Sequence, residues 1–312
     1  MNTDTKPHRA QQAPTTPEHG RGVRHADKRW GRLLVTPTIV LLVIAGIVPL
    51  VYSIWASFVT HNLRADGNAF VGFDNYAAVL SDPVFRSNLR FTFLMAAVVT
   101  VIEVGLALTL ALILSKRSKA WRRIMIPLIV APMFISGVVV GQIWRLFTAR
   151  TFGPLNYYLG LVSGTNVTVD WLATTPWNMI TIAVADVWQW TALAFLIIFA
   201  GLTGMDQQVL EAAEVDGASK WQKLRFITLP LIAPALATAT FFRFADALRI
   251  YDKIVALTGG GPGRATSTIS FYLVEKGFSG SFNLALSAAA SWIFLILISA
   301  MFYRVIQRRV LS

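Results

Sequence analysis

Six long apolar stretches alternate with short polar ones along the chain: 33–58, 91–114, 124–146, 178–202, 230–248 and 284–305. Each has the length of a helix that crosses the roughly 30 Å hydrocarbon layer of a bilayer. Backbone inside a bilayer must satisfy its own hydrogen bonds, so the pattern predicts an all-α, polytopic membrane protein with six transmembrane helices. Pro37 lies near the start of the first span, and Pro49 predicts a kink inside it. Residues 1–30 are rich in Pro, Gln, Thr and basic residues and lack apolar periodicity; they read as a disordered, basic cytoplasmic tail, too polar for a cleavable signal. Residues 31–312 read as one six-span domain.

Composition agrees with that reading: 55% of the 312 residues are hydrophobic and 14% charged, which excludes an ordinary soluble domain. The net charge of +12 is concentrated beside the spans. The loop SKRSKAWRR at 115–123 carries basic residues and no acid, which places it on the cytoplasmic side of the membrane. Six spans then put the N-terminus, residues 205–230 and the basic C-terminus (Arg304, Arg308, Arg309) on that side as well. The basicity is therefore membrane anchoring, and no nucleic-acid partner is expected. The absence of cysteine excludes disulfides and thiolate metal sites, and the four histidines (His8, His19, His25, His61) fall in the tail or an outer loop, so no metal site is expected. No triad or clustered nucleophile suggests catalysis.

One polar interruption stands out: EAAEVDGASKWQKLRFITLP at 211–230. Asp206 suits the N-cap of a first short helix, Gly217 a sharp bend after it, and Ser219 with Gln222 a capping box opening a second. The small residues Ala212, Ala213, Gly217 and Ala218 leave room for another protein's backbone. EAA, then DGA three residues on, then Leu229-Pro230, resembles the EAA loop of the MalF-type membrane subunits of bacterial binding-protein-dependent carbohydrate ABC importers. The Gly-Phe-Asp-Asn-Tyr run at 72–76 and the Thr-Gly-Gly-Gly-Pro run at 258–262 resemble the same family. The resemblance covers most of 33–310. It implies that Glu211, Ala212, Ala213, Asp216, Gly217 and Ala218 couple to a cytoplasmic ATPase dimer, that ATP is bound by that partner and no cofactor by this chain, and that a second MalG-type permease subunit and an extracytoplasmic substrate-binding protein complete the machine.

Ionisable residues inside the spans are few, and such groups mark a pathway or a partner. Asp186, Gln189, Trp190 and Leu193 repeat at i, i+3, i+4, i+7 and share one face of the fourth span. A carboxylate, an amide and an indole suit a polyol, whose hydroxyls need donors and acceptors and whose C–H faces pack on rings; a Trp belt at the outer interface with Asp186 wetted there is the plainer reading. On the fifth span Arg243, Asp246 and Arg249, with Asp252 beyond, form a stripe that either faces solute or satisfies itself as an ion network. The resemblance assigns Asp186, Gln189, Trp190, Leu193, Phe242, Asp246 and Arg249 to a substrate pathway for a sugar or polyol, with charges here where amides often stand. An ion-coupled secondary transporter using Asp186 or Asp246 is the alternative; it accounts for the carboxylates and leaves the EAA loop unexplained.

Overall fold

A computed structural model describes residues 21–63 and 67–310; the side chains of 21–34, 207, 305, 306 and 308–310 are outside the described set. Residues 1–20 of the expected tail, and the side chains of Lys28, Arg29, Arg32, Arg308 and Arg309, thus lie outside the described residues. The chain divides into two units, Met1–Trp55 and Ala56–Ser312. The first holds most of α1 (Arg21–Ser57), whose helical backbone runs on through Pro37 and Pro49. Residues 21–30, read from composition as disordered, are therefore helical. Within α1, Val35–Ser57 is long and apolar enough to span.

The second unit contains α2 (Asp74–Ser81), α3 (Pro83–Ser115), α4 (Lys119–Val130), α5 (Gly137–Phe147), α6 (Pro154–Ser163), α7 (Trp177–Thr203), α8 (Gln207–Val215), α9 (Lys220–Gln222), α10 (Leu229–Leu231), α11 (Ala233–Ala247), α12 (Asp252–Leu257), α13 (Ile269–Val274) and α14 (Leu284–Val310). α3, α7 and residues Leu284–Arg304 of α14 are continuous spans. α3 starts where Asp82 accepts the Val84 N–H at 2.8 Å, with Pro83 in the first turn, where its missing N–H costs nothing.

The third and fifth spans depart from the expectation of unbroken helices. Lys119–Phe134 and Gly137–Phe147 meet at 98°, and Lys220–Leu231 and Ala233–Ala247 at 65°. In the third span a turn of 3₁₀ helix, Ala131–Phe134, runs into extended backbone at Ile135 before Ser136 caps α5. Pro132 cannot donate a helical hydrogen bond, and a new N-cap restarts the helix at a new angle. In the fifth span, expected to start afresh at Pro230, the helix instead runs through that residue; the break falls at Ile232, followed by Pro234.

α3, α7 and α11 form the centre of the second unit, and α12 packs on α5. Alanines line the contact of the crossing helices: Ala107 and Ala111 of α3 and Ala192 and Ala194 of α7 are buried. Small side chains let helix backbones approach, which is how helices gain packing contact where the lipid is as apolar as leucine. The approach is closest at two glycines. A Cβ on Gly201 would lie 2.7 Å from the Ala235 Cβ, and one on Gly141 would lie 2.4 Å from the Ala256 Cβ. Gly105, also inside a helix, has nothing within 4 Å of that position. Gly141→Ala should therefore push α5 off α12 at a cost of about 1–3 kcal/mol, lowering the thermal midpoint of the purified protein in detergent. Gly105→Ala should leave it unchanged; equal midpoints for the two variants would rule out this packing.

Candidate functional site

The centre of the second unit holds a charged cluster. Arg243 of α11 is fully buried and its guanidinium is engaged on three sides. Its Nε and Nη2 donate to Glu103 Oε2 at 2.5 Å and Oε1 at 2.8 Å, a fork on a carboxylate of α3 that is itself fully buried. Nη2 also donates to Asp186 Oδ2 of α7 at 3.1 Å, and Nη1 to Asp246 Oδ2 at 2.9 Å. The other Asp186 oxygen accepts from Lys253 Nζ of α12, and Asp246 Oδ1 accepts from Arg249 Nη2 at 3.1 Å. Glu103, Asp186 and Asp246 thus balance Arg243, Arg249 and Lys253, so the cluster is neutral. Neutrality with forked hydrogen bonds is what allows charges at this depth. Trp190 completes the group: the Arg243 guanidinium carbon is 5.3 Å and the Lys253 ammonium 5.8 Å from its ring centroid, both within cation–π range.

A cavity of about 300 Å³ opens beside the cluster, lined by Asp186, Gln189, Trp190, Asp246, Arg249 and Lys253 together with Gly137 and residues 250–252. The structure therefore gathers five of the seven pathway residues expected from the sequence. Leu193, half-buried, and Phe242, exposed and ring-to-ring with Phe241, do not line this cavity. The polar character of the wall is graded. Arg243 is sealed in, Asp246 is one-third exposed and the Arg249 side chain is three-quarters exposed.

Two expectations change on this geometry. The ladder Arg243–Asp246–Arg249 exists, but its deepest link is Glu103, which the sequence reading passed over. A lone carboxylate in the apolar run 91–114 was the available signal, since an acid at that depth needs a partner. Lys253 was missed because it follows the predicted end of the fifth span. Gln189 lines the cavity, as expected of a pathway residue, but is largely buried, and its Nε2 donates to the Ile135 carbonyl at 2.6 Å. It thereby satisfies the backbone exposed by the break in the third span, a duty some side chain must perform where a helix ends inside a membrane.

The loop between α7 and α11 has the local structure expected of it. Asp206 accepts the Gln208 N–H at 2.9 Å. α8 ends in a Schellman turn, with Ala218 N–H donating to Ala213 O at 3.0 Å, Gly217 N–H to Glu214 O at 3.1 Å, and Gly217 at φ +77°. Ser219 and Gln222 form the reciprocal capping box. Glu211, Ala212, Asp216 and Gly217 are exposed, Ala218 is half-buried, and Ala213 turns inward. Within the chain the space a Gly217 Cβ would fill is open, and the left-handed backbone there favours glycine. The Lys223 ammonium, hydrogen-bonded to Glu214, holds that carboxyl below its usual range and ties the two short helices together.

Residues 103–312 match the family described as binding-protein-dependent transport system inner membrane component. The chain belongs to that family. It is a multi-pass membrane permease component of an ABC importer rather than a catalytic subunit. Similar proteins include a probable ABC transporter permease protein, y4oQ, of Sinorhizobium fredii, 35% identical over 84% of this chain and 83% of its own length. The trehalose/maltose transport system permease protein MalF of Thermococcus litoralis is 33% identical over 80% and 83%. In structure, the permease resembles a chain of a bacterial ABC transporter involved in the import of the acidic polysaccharide alginate, with a TM-score of 0.79 over 94% of this chain and all of the other, at 22% identity. That likeness bears on the fold. Neither the family nor any of these relatives favours an ion-coupled carrier, and both carboxylates such a carrier would use are matched here by cations.

The permease's charge cluster makes a graded prediction. Glu103→Gln leaves a sealed guanidinium without its forked carboxylate and should cost about 3–5 kcal/mol, seen as loss of assembled protein and a lowered thermal midpoint. Asp246→Asn removes a charge that is one-third exposed and should assemble. Robust assembly of Glu103→Gln would show that the cluster is not structural.

Proposed function

We infer that the permease forms one half of the translocation pathway of an ATP-driven importer for a sugar or related polyol. The solute arrives on an extracytoplasmic binding protein, a second MalG-type subunit supplies the other half of the pathway, and a cytoplasmic ATPase dimer drives alternating access. Both termini and residues 205–230 face the cytoplasm. The observation that carries the solute class is the cavity wall itself: an indole, the Asp246 carboxylate and the Arg249 guanidinium meet in about 300 Å³, a size at the lower end for small-molecule sites, and a set of groups that matches hydroxyls and a sugar C–H face. Support comes also from relatives whose names specify trehalose and maltose.

Within this reading the cluster has two zones. Glu103, Arg243, Asp186 and Lys253 are scaffold, whereas Asp246 and Arg249, partly open, contact solute. The seven pathway residues expected from the sequence thus divide, with Gln189 positioning the third span and Leu193 and Phe242 serving surfaces outside the cavity. The loop supports a coupling role by its exposure: Val215 at its tip is 87% exposed beside Glu211 and Gly217, an apolar point on a rigid turn with nothing from its own chain to cover it.

Uptake of labelled trehalose and maltose in cells, with and without the chain, tests the class. Sugar uptake that stops on ATP depletion and survives a proton uncoupler is the expected result; the reverse pattern would restore the ion-coupled alternative. Asp246→Asn should shift the preference among sugars in an assembled importer. Gly217→Asp places a side chain in a left-handed conformation at a cost of roughly 1–2 kcal/mol and adds bulk to the docking face. It should leave the permease in the membrane while ATP hydrolysis is uncoupled from uptake or the ATPase is released, and normal uptake by that variant would remove the loop from the coupling path.

A further inference from the structure

A second cavity, of about 660 Å³, lies where α3 and α7 end and the loop begins. Its walls are apolar through Leu112, Leu202 and Leu224, while Lys116, Lys220 and Trp221 stand around it. One carboxylate lines it, Glu214, and that group is already hydrogen-bonded to Lys223. Asp206, Glu211 and Asp216 of the same loop do not line it. Among the described residues, no carboxylate pairs with Lys116 or Lys220.

A helix C-terminus presents carbonyls and repels anions, so the end of α3 at this cavity would ordinarily disfavour one. Here that end is neutralised. The Arg122 Nε donates to Leu114 O at 3.2 Å and to Arg117 O at 3.0 Å, and its Nη2 donates to Ser115 O. Two ammonium groups that no carboxylate among the described residues pairs with thus share the cavity wall with leucines from the ends of two apolar helices. Trp221, 66% exposed, has the amphipathic ring that favours a membrane–water boundary.

We propose that this cavity holds the headgroup of an anionic phospholipid, its phosphate between Lys116 and Lys220 and the upper part of an acyl chain against Leu112, Leu202 and Leu224. A soluble anion would leave the leucine walls unused; a lipid uses both parts. The lipid touches α8 at Leu210 and Glu214 and α9 at Lys220 and Trp221, leaves Val215 outside the cavity, and so sets how α8 and α9 stand relative to the spans. The inference rests on the membrane fold and is independent of which solute is carried.

The test uses the assembled importer in nanodiscs of phosphatidylcholine with or without phosphatidylglycerol, reading thermal midpoint and the quenching of tryptophan by brominated lipid, with Trp221→Phe isolating the Trp221 signal. Phosphatidylglycerol should raise the midpoint, and brominated phosphatidylglycerol should quench Trp221 more than brominated phosphatidylcholine does. K116Q/K220Q should weaken phosphatidylglycerol binding about twenty-fivefold, from roughly fivefold per lysine. K116R/K220R should retain it, and K119Q, an exposed lysine of the same basic loop outside the cavity, should stay near the parent. Equal quenching by the two lipids overturns the proposal without any variant. So does a loss in K119Q as large as in K116Q/K220Q, which would mean general surface attraction. Equal protection by soluble glycerol 3-phosphate would assign the cavity to a free anion. Protection seen only when the ATPase is absent would assign it to the protein partner.

Discussion

A single buried guanidinium organises this permease. Arg243 on α11 reaches carboxylates on α3 and α7 and one on its own helix, and through Asp186 it is joined to Lys253 on α12. Three stretches far apart in sequence, α3, α7 and the adjacent pair α11 and α12, are held at one point. Dispersion between alanine-lined helices gives close contact but little direction, since one alanine face fits another in several registers. A forked Arg–Glu pair has only one good geometry. The pair sets register; the small residues supply contact area once the register is set.

Beside the same cluster, the third span bends without leaving raw backbone in the membrane. The break in the third span exposes the Ile135 carbonyl to the side of α7, and Gln189, one turn from Asp186, takes it up. α5 then turns back to lie on α12 through Gly137, which faces Asp252, and Gly141, which faces Ala256 and Lys253. The bent segment is therefore held by an amide at its corner and by glycine contact along its arm, both next to the ion cluster. Irregular backbone at this depth is confined to protein surroundings and the wall of a cavity.

Much of this was legible from the chain. Span number, helical class and the local structure of the loop follow from apolar run lengths and from short-range chemistry, and Asp206, Gly217, Ser219 and Gln222 each do what their residue types predict. The bends were harder to read. Pro132, Ser136 and Gly137 lie together in the third span, but apolar content there hides a cap that in a soluble chain would mark a boundary. The partition of the site was least legible, because it depends on pairs separated by 140 residues, as in Glu103 with Arg243. Helical periodicity places Asp186 and Gln189 on one face and says nothing of what meets that face. Both line the cavity and also bond to neighbouring segments, Asp186 to Arg243 and Lys253 and Gln189 to the Ile135 carbonyl, while Asp246 and Arg249 are the more exposed members of the wall.

The order of the cluster's members along the chain has a bearing on how the protein is made. Glu103 and Asp186 precede Arg243 and Lys253 in sequence, so during synthesis the acids enter the membrane first and the cations last. An arginine at the centre of an isolated span costs about 2.5–3.5 kcal/mol on the insertion scale. α11 is short, bent and carries such a residue, and by itself would be a reluctant guest in lipid. It arrives, however, when two carboxylates are already in the bilayer, unpaired and expensive. Each half of the cluster lowers the cost of inserting the other, and a chain cut short before α11 would be left with buried acids and nothing to neutralise them.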